Sequence, residues 1–253
     1  MKTLQSFLMV LIFSSQISNA QDLKPEYQKF VSKFISDVKS GNKEAISKQI
    51  NYPLKRDYPI PSINNKTDFL KRYNEIFDTV LIGKIIKSDP VKDWSEMGWR
   101  GIMLNQGDLW MDTDGKITAV NYQSVVEKKK KNSLIASQKK AVNSKIATFK
   151  EPVAVLETSK FRIRIDDLGN NNYRYASWSV KKKMTEAPDL IIEKGVFTAD
   201  GTGGNHHYKF KKGNFRYECH FIVLGEKDSP QAILIIYQSG KEILSQNAKI
   251  VSR

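Results

Sequence analysis

The chain predicts an α+β fold in two units, a helical and antiparallel-sheet unit followed by an all-β sandwich or small barrel. Three observations predict it. Tyr27, Phe30, Val31, Phe34 and Val38 recur at i, i+3, i+4, i+7 and i+11, one apolar stripe at helical period. Phe161-Arg162-Ile163-Arg164-Ile165 alternates with period two. Between these patterns lies a lysine-rich stretch of different composition, which divides the chain into units of a size that domains commonly have.

Ahead of the first stripe, Met1-Lys2 opens a basic start. The short apolar run Phe7 to Phe13 follows, and Ser18-Asn19-Ala20 stands before Gln21. That layout is the one of a secretory signal peptide, with residues 1–20 removed near Ala20. The run falls short of the ~20 apolar residues a spanning helix needs, and no later segment reaches that length, so no transmembrane segment is expected in the mature chain. The expected location is periplasmic or secreted. Cys219 is the only cysteine, so an intramolecular disulfide cannot form and the core must hold the fold.

In the first unit, residues 21–125, Gly41 ends the first helix and Asn42 can cap a second over Lys43 to Ile50. Pro53, Pro59 and Pro61 lack the amide proton and bar a helix from Tyr52 to Ile63. Asn65 followed by Asp68 signals a third helix carrying Phe69, Leu70, Tyr73, Ile76, Phe77 and Val80. Short apolar runs at Gly98–Asn105, Asp108–Thr113 and Lys116–Tyr122 then read as strands, separated by Gln106-Gly107 and Asp114-Gly115. Pairing across those turns places Ile102, Leu104, Leu109, Met111 and Val120 on one face. Met103, Trp110, Asp112, Ala119 and Asn121 fall on the other, the wall of a pocket or of an interface. This element order is similar to the NTF2-like, cystatin-like cone domains. The resemblance implies a sheet wrapped around helices with an internal pocket, in a family holding both enzymes and non-catalytic binders. The unit has no histidine, the commonest general base.

Net charge is +14, and residues 126–150 alone carry +7, centred on Lys128-Lys129-Lys130-Lys131 and Lys139-Lys140. This stretch reads as a basic linker, able to form helix, whose charge keeps it solvated. Its lysines could touch an anionic envelope surface. They lack the interleaved aromatics of a nucleic-acid binder, so no nucleic-acid partner is expected.

The second unit, residues 151–253, reads as all β. Strands are predicted at Phe161–Ile165, Tyr173–Val180, Leu190–Ile192, His206–Phe210, Phe215–Leu224, Ile233–Tyr237 and Glu242–Leu244. Polar and glycine turns separate them, the pattern of a sandwich or barrel. As a whole, the two units behind a leader resemble the secreted two-domain proteins of Bacteroidetes, a likeness that brings no activity with it.

Candidate sites follow from these elements. Read as a two-residue turn, Gly213-Asn214 pairs Phe210 with Tyr217, Lys209 with Glu218, Tyr208 with Cys219 and His207 with His220, whereas a four-residue loop would change the register and separate the two rings. His207 and His220 are thus the one pair with metal-binding chemistry, on the outer face beside Glu218. Two ligands and a neighbouring lysine fall short of a metal motif, and neither metal nor cofactor is expected. Asp200-Gly201-Thr202-Gly203-Gly204-Asn205 lacks the lysine and the helix of a phosphate loop and reads as a tight bend. Arg162, Arg164, Tyr173 and Tyr175 are expected on one outer face, a surface suited to sugars or acidic partners. Met103, Trp110, Asp112 and Asn121 form the second candidate surface. Trp94, Trp99 and Trp110 near Asp93, Glu96, Asp108 and Asp112 carry the elements of a carboxylate-dependent glycan hydrolase. No catalytic residue can be assigned. The sequence points to an exported, non-catalytic binding protein of the cell envelope that recognises a glycan, a cell-wall fragment or a protein. A glycan hydrolase and an envelope inhibitor or immunity-type protein are the alternatives.

Overall fold

The apolar stripe at Tyr27–Val38 forms α1 (Pro25–Lys39), burying Tyr27, Val31, Phe34 and Val38. The computed structural model describes residues 23–253; the expected leader and its cleavage point lie outside them. Pro25 sits in the first turn, where a missing amide proton is harmless. The Asn42 side chain accepts from the Ala45 amide at 3.0 Å and opens α2 (Lys43–Lys48). Asn65 does the same for α3 (Lys66–Ile76) through the Asp68 amide at 2.9 Å.

The third helix does not continue to Val80. Its axis breaks at Phe77, because the Asp78 carboxylate accepts from the Val80 and Leu81 amides at 3.1 and 2.9 Å. That cap starts a separate helix, α4 (Thr79–Lys87).

Four short strands follow: β1 (Trp94–Glu96), β2 (Ile102–Leu104), β3 (Leu109–Met111) and β4 (Ile117–Val120). They make one antiparallel sheet in chain order. Its inner face is the expected one: Ile102, Leu104, Leu109, Met111 and Val120 are all buried. They pack with Phe34, Phe69, Phe77 and Trp94 in a single cluster. Phe34 meets Trp94 and Phe77 edge-on at 6.3 and 6.4 Å between ring centroids. The space between helices and sheet is therefore filled by side chains, each fully buried one contributing roughly 1.5–3 kcal/mol.

Residues 126–150 are not a solvated linker. Val125–Ala141 forms α5, capped by Ser124, whose side chain accepts from the Glu127 amide at 3.0 Å. The buried positions of α5 are Glu127, Lys131 and Ile135. They lie four residues apart on one side of the helix, so its contact face is largely charged. Glu127 pairs with Arg56, and Lys131 bridges Asp57 and Glu151, both at 2.7 Å. The segment after α5 carries Val142, Ile146 and Phe149 onto Ala176 and Trp178 of the second unit.

That unit is a barrel rather than a sandwich. Its strands are β5 (Glu151–Glu157), β6 (Phe161–Gly169), β7 (Asn172–Ser179), β8 (Leu190–Ala199), β9 (His206–Lys212), β10 (Phe215–Phe221), β11 (Ala232–Gln238) and β12 (Lys241–Ser252). Each pairs antiparallel with the next, and β12 returns to β5, closing eight strands. The closing seam is the shortest, with Lys249, Ile250 and Ser252 opposite Glu157, Leu156 and Val155. Ile163, Ile165, Tyr175, Phe210, Cys219, Phe221 and Leu234 fill the interior. Burial pushes the Cys219 thiol up, which leaves it an inert core group. Among the described residues no helix is long and apolar enough to cross a membrane.

Candidate functional site

In the first unit, Met103 stands opposite Trp110, and Trp110 opposite Ala119, on the sheet face away from the core. Each polar residue of this candidate surface serves a local contact. The Asp112 carboxylate accepts from the Asp114 and Lys116 amides at 3.0 and 2.8 Å and so closes its own turn. The Asn121 side chain donates to the Gly107 carbonyl at 2.9 Å. The Arg100 guanidinium lies 5.9 Å from the centre of the Trp110 ring. Of the other acids suited to a hydrolase, Asp93 accepts from the Asp89 amide, Glu96 pairs with Lys24 and Asp108 pairs with Lys84, each at 2.8 Å. Trp94 is a core residue and Trp99 is exposed.

The face expected to join Arg162, Arg164, Tyr173 and Tyr175 does not form. Strand register places Arg162 opposite Trp178 and Arg164 opposite Ala176, whereas Tyr175 faces Ile165. Tyr173 and Tyr175 point into the barrel and the arginines point out of it, because two antiparallel strands in register share faces only at paired positions. Arg164 is covered as well. It lies over the Phe149 ring at 4.7 Å and binds Asp166 at 2.7 Å. Asp166 in turn holds Arg174 at 2.8 Å. The segment 142–149 is the cover, so the docking of this stretch that removes a solvated linker also hides Arg164. Burial raises the Asp166 carboxyl against the downward pull of both arginines. Arg162 pairs with Glu157 at 2.7 Å.

The lysine run is also reduced as an anionic-surface contact. Lys130 binds Glu75 at 2.8 Å and Lys131 is buried between two carboxylates, leaving Lys128 and Lys129 exposed.

A depression follows the seam between the units. It encloses about 950 Å³ and runs from Lys55, Asp57 and Tyr58 past Glu151 and Val153 to Val223, Ile250 and Arg253. A second depression of about 480 Å³ adjoins it at Lys55–Asp57 and extends to Ala119, Asn121 and Gln123. Its floor is built by side chains that also join the units. Tyr58 Oη lies 3.0 Å from Ser252 Oγ and accepts from Gln138 at 3.0 Å. Arg56 is turned inward onto Glu127 and the Val120 and Tyr122 carbonyls. Asp57 and Glu151 are both tied to Lys131. Lys55 has no ion-pair partner among the described residues, and Arg253 stacks over Phe221 at 4.8 Å. Lys131 balances only one of the Asp57 and Glu151 carboxylates, so one carboxylate charge stands in the cleft beside the cations of Lys55 and Arg253.

Arg253 also reaches His206, with Nη2 3.2 Å from Nε2. His206 Nδ1 lies 2.8 Å from the Gly204 carbonyl, and its ring stacks on Phe221 at 4.9 Å. Donation to Gly204 and acceptance from Arg253 together define a neutral imidazole. Burial lowers its basicity, assisted by the Arg253 charge.

The histidine hairpin has the expected register, with His207 opposite His220 and Lys209 opposite Glu218. The third member of the cluster comes from elsewhere. The glycine-rich bend carries Asp200 over the pair, 2.9 Å from His207 Nδ1 and 4.0 Å from His220 Nδ1. The two rings stack with centroids 4.7 Å apart. Ligand atoms from Asp200, His207 and His220 all lie within 4.8 Å of one another. His220 Nε2 is 3.2 Å from Glu218 Oε2, and Glu218 is flanked by Arg216 at 2.9 Å and Lys209 at 3.8 Å.

Comparison with family models, with curated proteins and with solved structures finds no match to this chain.

Proposed function

We propose that the chain is an exported, non-catalytic binding protein of the cell envelope whose ligand lies in the cleft between the helical unit and the barrel. The observation that carries this reading is the cleft itself. Its roughly 950 Å³ falls in the size range of ligand sites, whereas both cores are filled. Its basic side chains without an ion-pair partner among the described residues are Lys55 and Arg253, set beside Tyr58, Val153, Val223 and Ile250. That combination suits a ligand with acidic groups on a partly apolar body, and a cell-wall fragment joining sugar to a carboxylate-bearing peptide has this chemistry. The helical unit is read as an NTF2-like module whose concave face has been given over to core packing. Its outer rim at Asn121 then serves as one bank of the cleft. Delivery to the envelope rests on the leader at residues 1–20.

Thermal unfolding with purified muropeptides tests the reading. A ligand at a hundredfold excess over its Kd adds about 2.7 kcal/mol of stability. Lys55→Glu is expected to abolish that gain without lowering the midpoint of the free protein, and Arg253→Glu to abolish it from a lower starting midpoint, since it also loses His206 and Phe221. No stabilisation by any acidic cell-wall fragment, or equal stabilisation of the charge-reversed variants, overturns the assignment.

A further inference from the structure

We propose that Asp200, His207 and His220 form a binding site for one borderline transition-metal ion, with zinc(II) the best fit. Two independent pieces of chain meet there. The hairpin of β9 and β10 sets the imidazoles opposite each other, and the glycine-rich bend lowers a carboxylate onto them. Gly201 and Gly204 adopt positive φ of 86° and 90°, a conformation that lets the bend fold back over the strands. Two imidazoles and one carboxylate are the three protein donors of an open zinc site, the fourth position going to water or to a ligand. Asp200 is exposed and His220 half-buried, so that position faces solvent, while His207 is buried beneath them.

The surroundings of the cluster supply a second, separate argument. Glu218 is a poor candidate for the ion itself, because Arg216 and Lys209 flank it. It binds the far nitrogen of His220, 3.2 Å away. That contact keeps the proton on Nε2 and leaves the Nδ1 lone pair directed at Asp200. A carboxylate that orients a ligating histidine through its other ring nitrogen is the usual support of such sites. His207 Nδ1 now shares a proton with Asp200, at 2.9 and 3.0 Å from its two oxygens. On binding, His207 takes the tautomer that carries its proton on Nε2, which frees the Nδ1 lone pair for the ion. Tetrahedral coordination at ~2.0–2.1 Å needs donors about 3.3 Å apart. The present spacing, within 4.8 Å, closes by rotation of the two more exposed members, Asp200 and His220.

The test is calorimetric titration of zinc(II) into full-length protein first stripped with a chelator, repeated with cobalt(II) so that its visible absorption reports the donor set. One ion per chain is expected, with the stronger visible bands of low-coordinate cobalt. His220→Gln and Asp200→Asn should each weaken binding at least tenfold, and Glu218→Gln, which leaves all three ligands in place, by about 10–100-fold. His206→Gln removes the histidine outside the cluster and should leave stoichiometry and affinity unchanged. Circular dichroism checks that each variant is folded. Asp200 is exposed, so Asp200→Asn keeps the test decisive if a histidine variant fails to fold. Absence of binding by the wild type, or wild-type affinity in a folded Asp200→Asn or His220→Gln variant, overturns the proposal.

Discussion

Replacing Glu127 by leucine removes the carboxylate from the fully buried pair that fastens α5 to the first unit at its N-terminal end. Both side chains are out of solvent, Arg56 at 2 % and Glu127 at 0 % exposure. Arg56 Nε donates to Glu127 at 2.7 Å, and its two terminal nitrogens reach the carbonyls of Val120 and Tyr122. Breaking a buried pair from one side costs about 3–5 kcal/mol, chiefly because the surviving charge is left uncompensated. Arg56 retains two carbonyl acceptors, so the lower end applies, about 3 kcal/mol. At ~2–4 °C per kcal/mol for a chain of this size class, the midpoint should fall by about 6–12 °C. Urea unfolding gives the free energies for a double-mutant cycle with Arg56→Met. The double variant should lose less than the sum of the singles, since no lone charge remains. It should stay below wild type, since the buried Val120 carbonyl then loses this donor at ~1–3 kcal/mol. A Glu127→Leu protein within about 0.5 kcal/mol of wild type, the range of an indifferent surface change, would refute the argument that α5 docks through this pair.

Two further outcomes are expected. The His206 ring is held neutral, with a folded pKa below the ordinary 6.5, so its contribution is fully present above pH 6.5 and is lost as pH falls through the lower folded value. Unfolding midpoints measured from pH 8 to pH 5 should therefore decline more steeply in wild type than in His206→Gln, and parallel curves would count against the neutral Gly204–His206–Arg253 arrangement. At Gly195 a Cβ would stand 2.1 Å from the Phe210 ring and 3.0 Å from the Tyr173 carbonyl, both packed inside the barrel. Gly195→Ala should cost about 1–3 kcal/mol by overpacking in chemical denaturation, and an unchanged midpoint would mean that the Phe210 ring can move aside.

What could be read from the chain divides along physical lines. The register of the β9–β10 hairpin was legible because a two-residue turn at Gly213-Asn214 sets every pair after it. The inner face of the small sheet was legible because alternation and burial agree there. That the stretch of α5 can form helix was legible, but its docking escaped because its buried stripe is Glu127, Lys131 and Ile135, and an apolar-period reading is blind to a helix that docks through ion pairs. The covering of Arg164 follows from the same gap, since nothing announces that residues 142–149 will lie across that strand. The break at Asp78 was marked by a capping residue, yet Phe77 and Val80 continue the apolar spacing and mask it. The Asp200 contribution to the histidine cluster depends on the path of a glycine-rich bend, which sequence spacing does not encode.

The seam between β12 and β5 carries a consequence for assembly. The barrel closes by joining its first strand to its last, at Val155–Glu157 and Lys249–Ser252, across almost the whole length of the unit. Every other neighbour in the wall is the next strand along the chain. Seven pairings are thus local hairpins, and the eighth must bring together the two ends of the meander. The loop entropy of that last step is met before its contacts form, so the eighth pairing is the slow one. Until it forms, both margins of the sheet stand open as templates for a foreign strand. The barrel's exposure to misassembly is therefore set by how soon four residues of β12 find three of β5.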